Sequence, residues 1–314
     1  MLFSSFRRLI STTPNLRATE KSLLAALRKQ TGYSFSNCKK ALELNGNNLE
    51  KAQEWLQQQA QALGWSKATK LEGRQTSQGL IGLMVQNNCA ALVELNCETD
   101  FVARNENFKE MLNLATKSCL NYVSKQQLNE VIQKTHLSSE KLRSLQGPDG
   151  KSLGDHLTLM IGNLGENAQL KRGLCLRAEN NINLYGYAHP ASAAGENEFM
   201  YGKYGAIVAL KEQTSPSDIG KSICQHIVGM NPLKIGVKDV DKPAENVDDE
   251  TCLIYQELLS NPTYKVHEIL EENQIQIVDF VRYECGGVDV ASTAKSTDEV
   301  IGKEVNIDSI QTCQ

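Results

Sequence analysis

The stretch Gly79-Leu80-Ile81-Gly82-Leu83-Met84-Val85, the break Gln86-Asn87-Asn88 and the run Cys89-Ala90-Ala91-Leu92-Val93-Glu94-Leu95 decide the fold class. Two apolar runs of strand length around a short polar break predict a β-hairpin. A polar segment from Asn96 to Arg104 follows, and then Phe108, Met111, Leu112, Ala115 and Cys119 fall at helical spacing. The same order of strand, polar turn and amphipathic helix recurs later. Tyr204–Leu210 aligns with Cys89–Leu95 without a gap, sharing Ala91/Ala206, Val93/Val208 and Leu95/Leu210, and precedes a stripe of Ile219, Ile223, Ile227 and Val228. The architecture this predicts is α+β, with two similar core subdomains built on antiparallel sheets.

Working outward, helices are predicted from about Leu128, Ser139 and Leu153, the last ending at Gly165. Strands are predicted over Leu170–Ala178 and Ile182–Ala188. Two helices, about Asp248–Ser260 and Thr263–Asn273, and a strand over Ile275–Cys285 close the second lobe. Upstream, residues 20–63 read as a compact three-helix module. Its stripes are Leu23, Leu24 and Leu27, then Cys38, Ala41 and Leu42, then Leu49, Ala52, Trp55 and Leu56. Asn47 with Glu50 reads as a capping box for the third helix. Phe35 lies in the first loop and joins no stripe, which leaves core filling or a contact for a partner protein. So small a module buries little surface and is expected to dock on something. The organisation is then 1–19 leader, 20–63 helical module, 64–78 connector, 79–166 first core subdomain, 167–286 second core subdomain, and 287–314 a disordered tail without aromatics.

The first nineteen residues contain no acid, three arginines (Arg7, Arg8 and Arg17) and six Ser or Thr. Leu2, Phe3, Phe6, Leu9 and Ile10 share one helical face. An Arg-rich, Ser-rich, acid-poor amphipathic start has the character of an organellar transit peptide, and its destination would be the mitochondrial matrix. Losing it would make the chain three charges more acidic than the −4 of the whole sequence.

Composition excludes several classes. Of the 314 residues, 40% are hydrophobic and 22% charged, which supports a packed core. No apolar run nears the roughly 18 residues of a spanning helix, so no membrane segment is read. A net negative charge argues against direct nucleic-acid binding by a uniform basic surface. Nine cysteines include no C-x-x-C pair, which speaks against a zinc site and for a reducing compartment. Gly150-Lys151-Ser152 ends like a phosphate loop, but Leu145 stands where the first glycine must be. The five histidines are dispersed, and helical ones such as His156 and His226 read as surface or core-edge residues. No catalytic template, cofactor or small-molecule substrate is implied.

The segment that stands out is Asn96-Cys97-Glu98-Thr99-Asp100-Phe101-Val102-Ala103-Arg104-Asn105. It allows two readings. Thr99 or Asp100 is an N-cap with Phe101 as its hydrophobic staple, or Phe101 is an exposed wedge beside a carboxylate, able to enter a partner's cleft.

With these residues the sequence resembles elongation factor Ts, the guanine-nucleotide exchange factor for elongation factor Tu, in its mitochondrial form. The resemblance also covers Thr31–Phe35 with Asn37–Leu42, Gly64–Ala68, Ile161–Asn167, Gly202–Ala206 and Val278–Cys285, in order from about residue 20 to 286. It implies an N-terminal module similar to ubiquitin-associated domains and a core of two α+β subdomains. It also implies contacts to mitochondrial elongation factor Tu through Thr99, Asp100, Phe101 and Val102, with the aromatic entering near the partner's magnesium site. Phe35 and Lys39 would touch the same partner domain, and the second subdomain would hold the partner's third domain. Bacterial members often carry Asp where Asn37 stands here. The resemblance implies exchange without chemical catalysis. The other reading of the helical module is an adaptor for a ubiquitin-like protein.

Overall fold

The computed structural model describes residues 16–31, 33, 35–71, 73–191, 199–212 and 218–287, without the side chains of 16–22 and 60–69. The leader, apart from its last four residues, and the tail beyond Gly287 lie outside the described residues.

Three helices come first: α1 (Leu16–Thr31), α2 (Phe35–Leu44) and α3 (Leu49–Leu71). They close on Leu27, Cys38, Ala41, Leu42, Ala52 and Leu56. The third helix does not stop at residue 63. It runs through half of the expected connector, and its last residue, Leu71, is buried in the core of the first lobe. Its cap is Asn48, whose side chain accepts from the Lys51 N–H at 3.0 Å, because Asn47 takes a left-handed φ of 62° instead.

The core opens with the expected hairpin of β1 (Gln78–Gln86) and β2 (Cys89–Cys97), turned at Asn87, whose φ is 53°. There follow α4 (Asp100–Ala103), α5 (Glu106–Ser124), β3 (Ile132–Ser138), α6 (Ser139–Ser144), α7 (Leu153–Leu164), β4 (Ala168–Ala178), β5 (Asn183–His189), β6 (Met200–Gly202) and β7 (Tyr204–Glu212). The chain continues with α8 (Ile219–Met230), β8 (Glu257–Leu258), β9 (Asn261–Lys265), α9 (Val266–Glu272) and β10 (Ile275–Glu284). A five-stranded sheet runs β3-β4-β2-β1-β6 and a three-stranded sheet runs β10-β7-β5, with every pairing antiparallel. The fold is α+β.

Alternation along the central strands explains the layering. On β2, Ala91, Val93 and Leu95 face α5 and α7, while Ala90 and Leu92 face the other sheet. On β7, Ala206, Val208 and Leu210 face α8 and α9, while Ile207 and Ala209 face back toward the first sheet. The three residues shared by the two strands therefore all point at a helix layer. Strands buried on both faces read as continuous apolar runs, which is why both were plain in the sequence. Gly82 lets α5 lie flush on β1, since a Cβ there would sit 2.5 Å from the Thr116 hydroxyl.

Four expectations are corrected. The segment from Leu128 is not helical; Ile132–Ser138 is a strand, because β4 has an open edge that Ile132 to Ser138 pair with residue by residue. Asp248–Ser260 is two short 3-10 turns and the start of a two-stranded ribbon, and only Val266–Glu272 of the last predicted helix is α-helical. A division at residue 166/167 also fails for the sheets, since β4 and β6 complete the first sheet.

Candidate functional site

Where β2 hands over to α5, the chain turns a corner at Glu98 and Thr99. Thr99 has extended backbone (φ −123°, ψ 156°), and its hydroxyl accepts from the Val102 N–H at 3.4 Å. That makes Thr99 the N-cap of the single turn α4. Asn105 caps α5 in the same way, accepting from the Asn107 N–H at 2.9 Å. One isolated helical turn has no stability of its own. These caps and the burial of Val102 and Ala103 in the first-lobe core hold it.

Four residues in one turn cannot all face inward. With Val102 and Ala103 inside, Asp100 and Phe101 point out, and Phe101 is 79% exposed. Phe101 is therefore no staple, and of the two residues that could have been the cap, Thr99 is the one that is. The Asp100 carboxylate pairs with Arg104 at 2.8 Å across an exposed i,i+4 step, a contact that contributes little to stability.

The corner is clamped from beneath by a second one. Glu166 accepts from the Thr99 N–H at 3.2 Å, and the Thr99 hydroxyl donates to it at 2.9 Å. In return Glu98 accepts from the Asn167 N–H at 2.7 Å. Asn167 also donates to the Arg74 carbonyl at 2.9 Å, and the Arg74 guanidinium lies 3.5 Å from Glu98. Gly165, at φ 78°, turns the chain off α7 so that Glu166 reaches the corner. The Cys97 thiol donates to the Thr99 carbonyl at 3.1 Å. Burial first, and the Glu166 charge second, push that thiol up to about 12, so it stays protonated. Both motifs were visible in the sequence, but no spacing rule couples Glu98-Thr99 to Glu166-Asn167.

The six expected site residues thus divide. Asp100 and Phe101 form an exposed pair on α4. Phe35 and Lys39 form another on α2, with Phe35 57% exposed and Lys39 paired to Glu43 at 3.7 Å. Phe35 opens α2 rather than sitting in a loop, and lines an open groove with Leu24, Ala25, Arg28 and Lys29. Thr99 is spent on the cap and the clamp. Val102 is a correction: its side chain is 9% exposed and packs in its own core, so it cannot offer that side chain to another molecule.

Sequence reasoning missed one surface. Leu233, Val237, Val240, Val247 and Leu259 are exposed in the segment between α8 and α9. Their spacing fits no single face, so periodicity carried no signal. Among the described residues no cluster of His, Cys, Asp and Glu could hold a metal ion, and no helix is long and apolar enough to cross a membrane.

Known proteins resemble this chain along most of its length. A family model described as elongation factor Ts, mitochondrial, N-terminal matches residues 6–66, and one described as elongation factor TS matches residues 98–248. A protein of Aedes aegypti named elongation factor Ts, mitochondrial, is 53% identical over 293 residues, covering 91% of this chain and 95% of that one. Proteins of the same name from Drosophila melanogaster and Homo sapiens are 50% and 41% identical, covering 90% and 88% of this chain and 90% and 86% of theirs. With both family models and relatives of this likeness spanning nearly its whole length, the chain belongs to the elongation factor Ts family of translation elongation factors, in its mitochondrial branch.

Proposed function

We propose that this protein binds mitochondrial elongation factor Tu carrying GDP and promotes release of GDP and its exchange for GTP, acting in the mitochondrial matrix after removal of its N-terminal leader. The observation that carries this reading is Phe101, a large aromatic held almost fully in water on a capped and clamped corner. The cap and the clamp fix the turn that carries the ring, so Phe101 is presented in one direction with its apolar faces open to a partner's cleft. Burying it in a partner releases about 1.5–3 kcal/mol.

Tight GDP binding by a GTPase rests on backbone N–H groups and magnesium around the phosphates. A ring wedged between the elements that carry those groups shifts them, and Asp100 brings a carboxylate near the cation. The coupling is reciprocal: as the wedge weakens GDP, GDP weakens the wedge by the same factor. Each tenfold acceleration of release corresponds to about 1.4 kcal/mol off the barrier. No bond is made or broken by this chain, so the role is exchange without chemical catalysis. Phe35 and Lys39 on α2, and the exposed apolar residues between α8 and α9, suit further contacts to the same partner.

Stopped-flow release of a fluorescent GDP from mitochondrial elongation factor Tu tests the reading. Phe101→Ala is expected to keep its fold and slow release by about tenfold or more, the equivalent of one buried ring. An unchanged release rate removes Phe101 from the mechanism.

A further inference from the structure

We propose that Glu166 is the positioning residue of the exchange corner: its carboxylate, reached from the far end of α7, sets the direction in which α4 presents Phe101. The inference rests on the reading of Phe101 as the wedge and extends it to a residue on a different element, bonded to the cap of α4.

The Thr99 hydroxyl has one proton and acts on both sides. It donates to Glu166 at 2.9 Å and accepts from the Val102 N–H at 3.4 Å. The donation to Glu166 holds the hydroxyl oxygen with its lone pair toward α4, which is the orientation an N-cap requires. Glu166 also takes the Thr99 N–H at 3.2 Å, so both polar handles of the capping residue end on one carboxylate. A bond to an ionised acceptor is stronger and more directional than one to a neutral acceptor. Burial of Val102 and Ala103 holds the inner face of α4, and the bonded Thr99 fixes the start of a turn whose outer face is in solvent. A wedge must meet its cleft in a single orientation, and a small displacement of a contact group costs large factors in rate. Glu166 itself sits below the corner and acts only through Thr99.

This predicts a pattern that a general structural role does not give. In stopped-flow GDP release with the full-length protein, Glu166→Ala and Thr99→Val each slow release by about tenfold, the equivalent of one lost cap. In a Phe101→Ala background neither adds a further loss, because a residue that aims the ring has nothing left to aim. Thermal unfolding midpoints of the single variants fall by no more than a few degrees, the cost of about one cap. If Glu166→Ala does not fold, Glu166→Gln, the same size and uncharged, takes its place, with a smaller loss of about threefold that also vanishes in the Phe101→Ala background. A parental rate for the Glu166 variant overturns the proposal. So does an equal loss with and without Phe101. If Phe101→Ala alone releases GDP at the parental rate, it is the wedge reading that falls, a result separate from either of these.

Discussion

Phe101 and Val102 are neighbours with opposite fates, decided by one helical turn. Val102 is packed among the first-lobe core residues, whereas Phe101 is in solvent. Truncating them therefore has different consequences. Val102→Ala removes two methyl groups from a filled core and is expected to destabilise the protein by about 1–3 kcal/mol in urea unfolding. Folded Val102→Ala should release GDP from the partner at close to the parental rate, while Phe101→Ala should show the reverse pattern of intact stability and slow release. A Val102→Ala protein of parental stability would contradict its burial. The residue types alone could not separate the two, because both are apolar and a staple and a wedge have the same sequence signature. Thr99 was legible as a cap from its chemistry, but its second bond, to Glu166, was not.

At the scale of elements, the segment after α8 shows what holds an irregular stretch in place. His226 is wholly buried on α8, not at a surface or core edge as its isolation suggested. Gln256 donates its amide N–H to the Glu250 carbonyl at 2.8 Å, so its oxygen takes the His226 Nε2–H at 3.0 Å. The free His226 Nδ1 then accepts from the Leu259 N–H at 3.1 Å. One imidazole thus ties α8 to the chain beneath the exposed Leu259. Burial pushes the His226 pKa below its ordinary value, partly opposed by the bond to Gln256. The neutral ring is the bound form, so its contribution is full above the unfolded value of about 6.5 and is lost as pH falls through the lowered native value. The stability advantage of the parent over His226→Gln is expected to shrink as the pH is taken from about 7 to below the unfolded value of about 6.5 in urea titrations. A difference constant across that range would refute the neutral, doubly bonded histidine. The helices read over this segment failed for a related reason: its apolar residues answer to contacts with α8 and α9 rather than to a helical period.

For the molecule as a whole, the apolar layer between the two sheets is bordered by a buried ion pair. Glu94 on β2 is fully buried and accepts from Arg172 Nε at 2.7 Å, from Asn96 at 3.1 Å and from the Gly286 N–H at 2.8 Å. Arg172 donates to the Glu284 carbonyl at 3.2 Å and lies 4.3 Å over the Tyr283 ring. Strands β2 and β4 of the first sheet are thereby fastened to the end of β10 in the second. A buried pair is weak evidence of net stabilisation, but breaking it strands a charge. Glu94→Ala is expected to cost about 3–5 kcal/mol in urea unfolding, far more than an exposed carboxylate would. A loss under about 1 kcal/mol would show the guanidinium to be satisfied without Glu94.

Elements whose two faces are both buried, or whose one face is regularly apolar, were legible from the order of residues alone. The hairpin of β1 and β2, the repeat of β2 in β7, the helices α5 and α8 and the three-helix module all followed from period, because period is a property of one element's own geometry. The exposed pair Asp100-Phe101 was legible as an anomaly, and the family as an ordered set of motifs. That β4 completes the first sheet, that Glu166 holds Thr99 across 67 positions of chain, and that Glu94 meets Arg172 across 78 came from the packed fold. A side chain's partner at that distance is chosen by which elements the core brings together, and no local spacing records it.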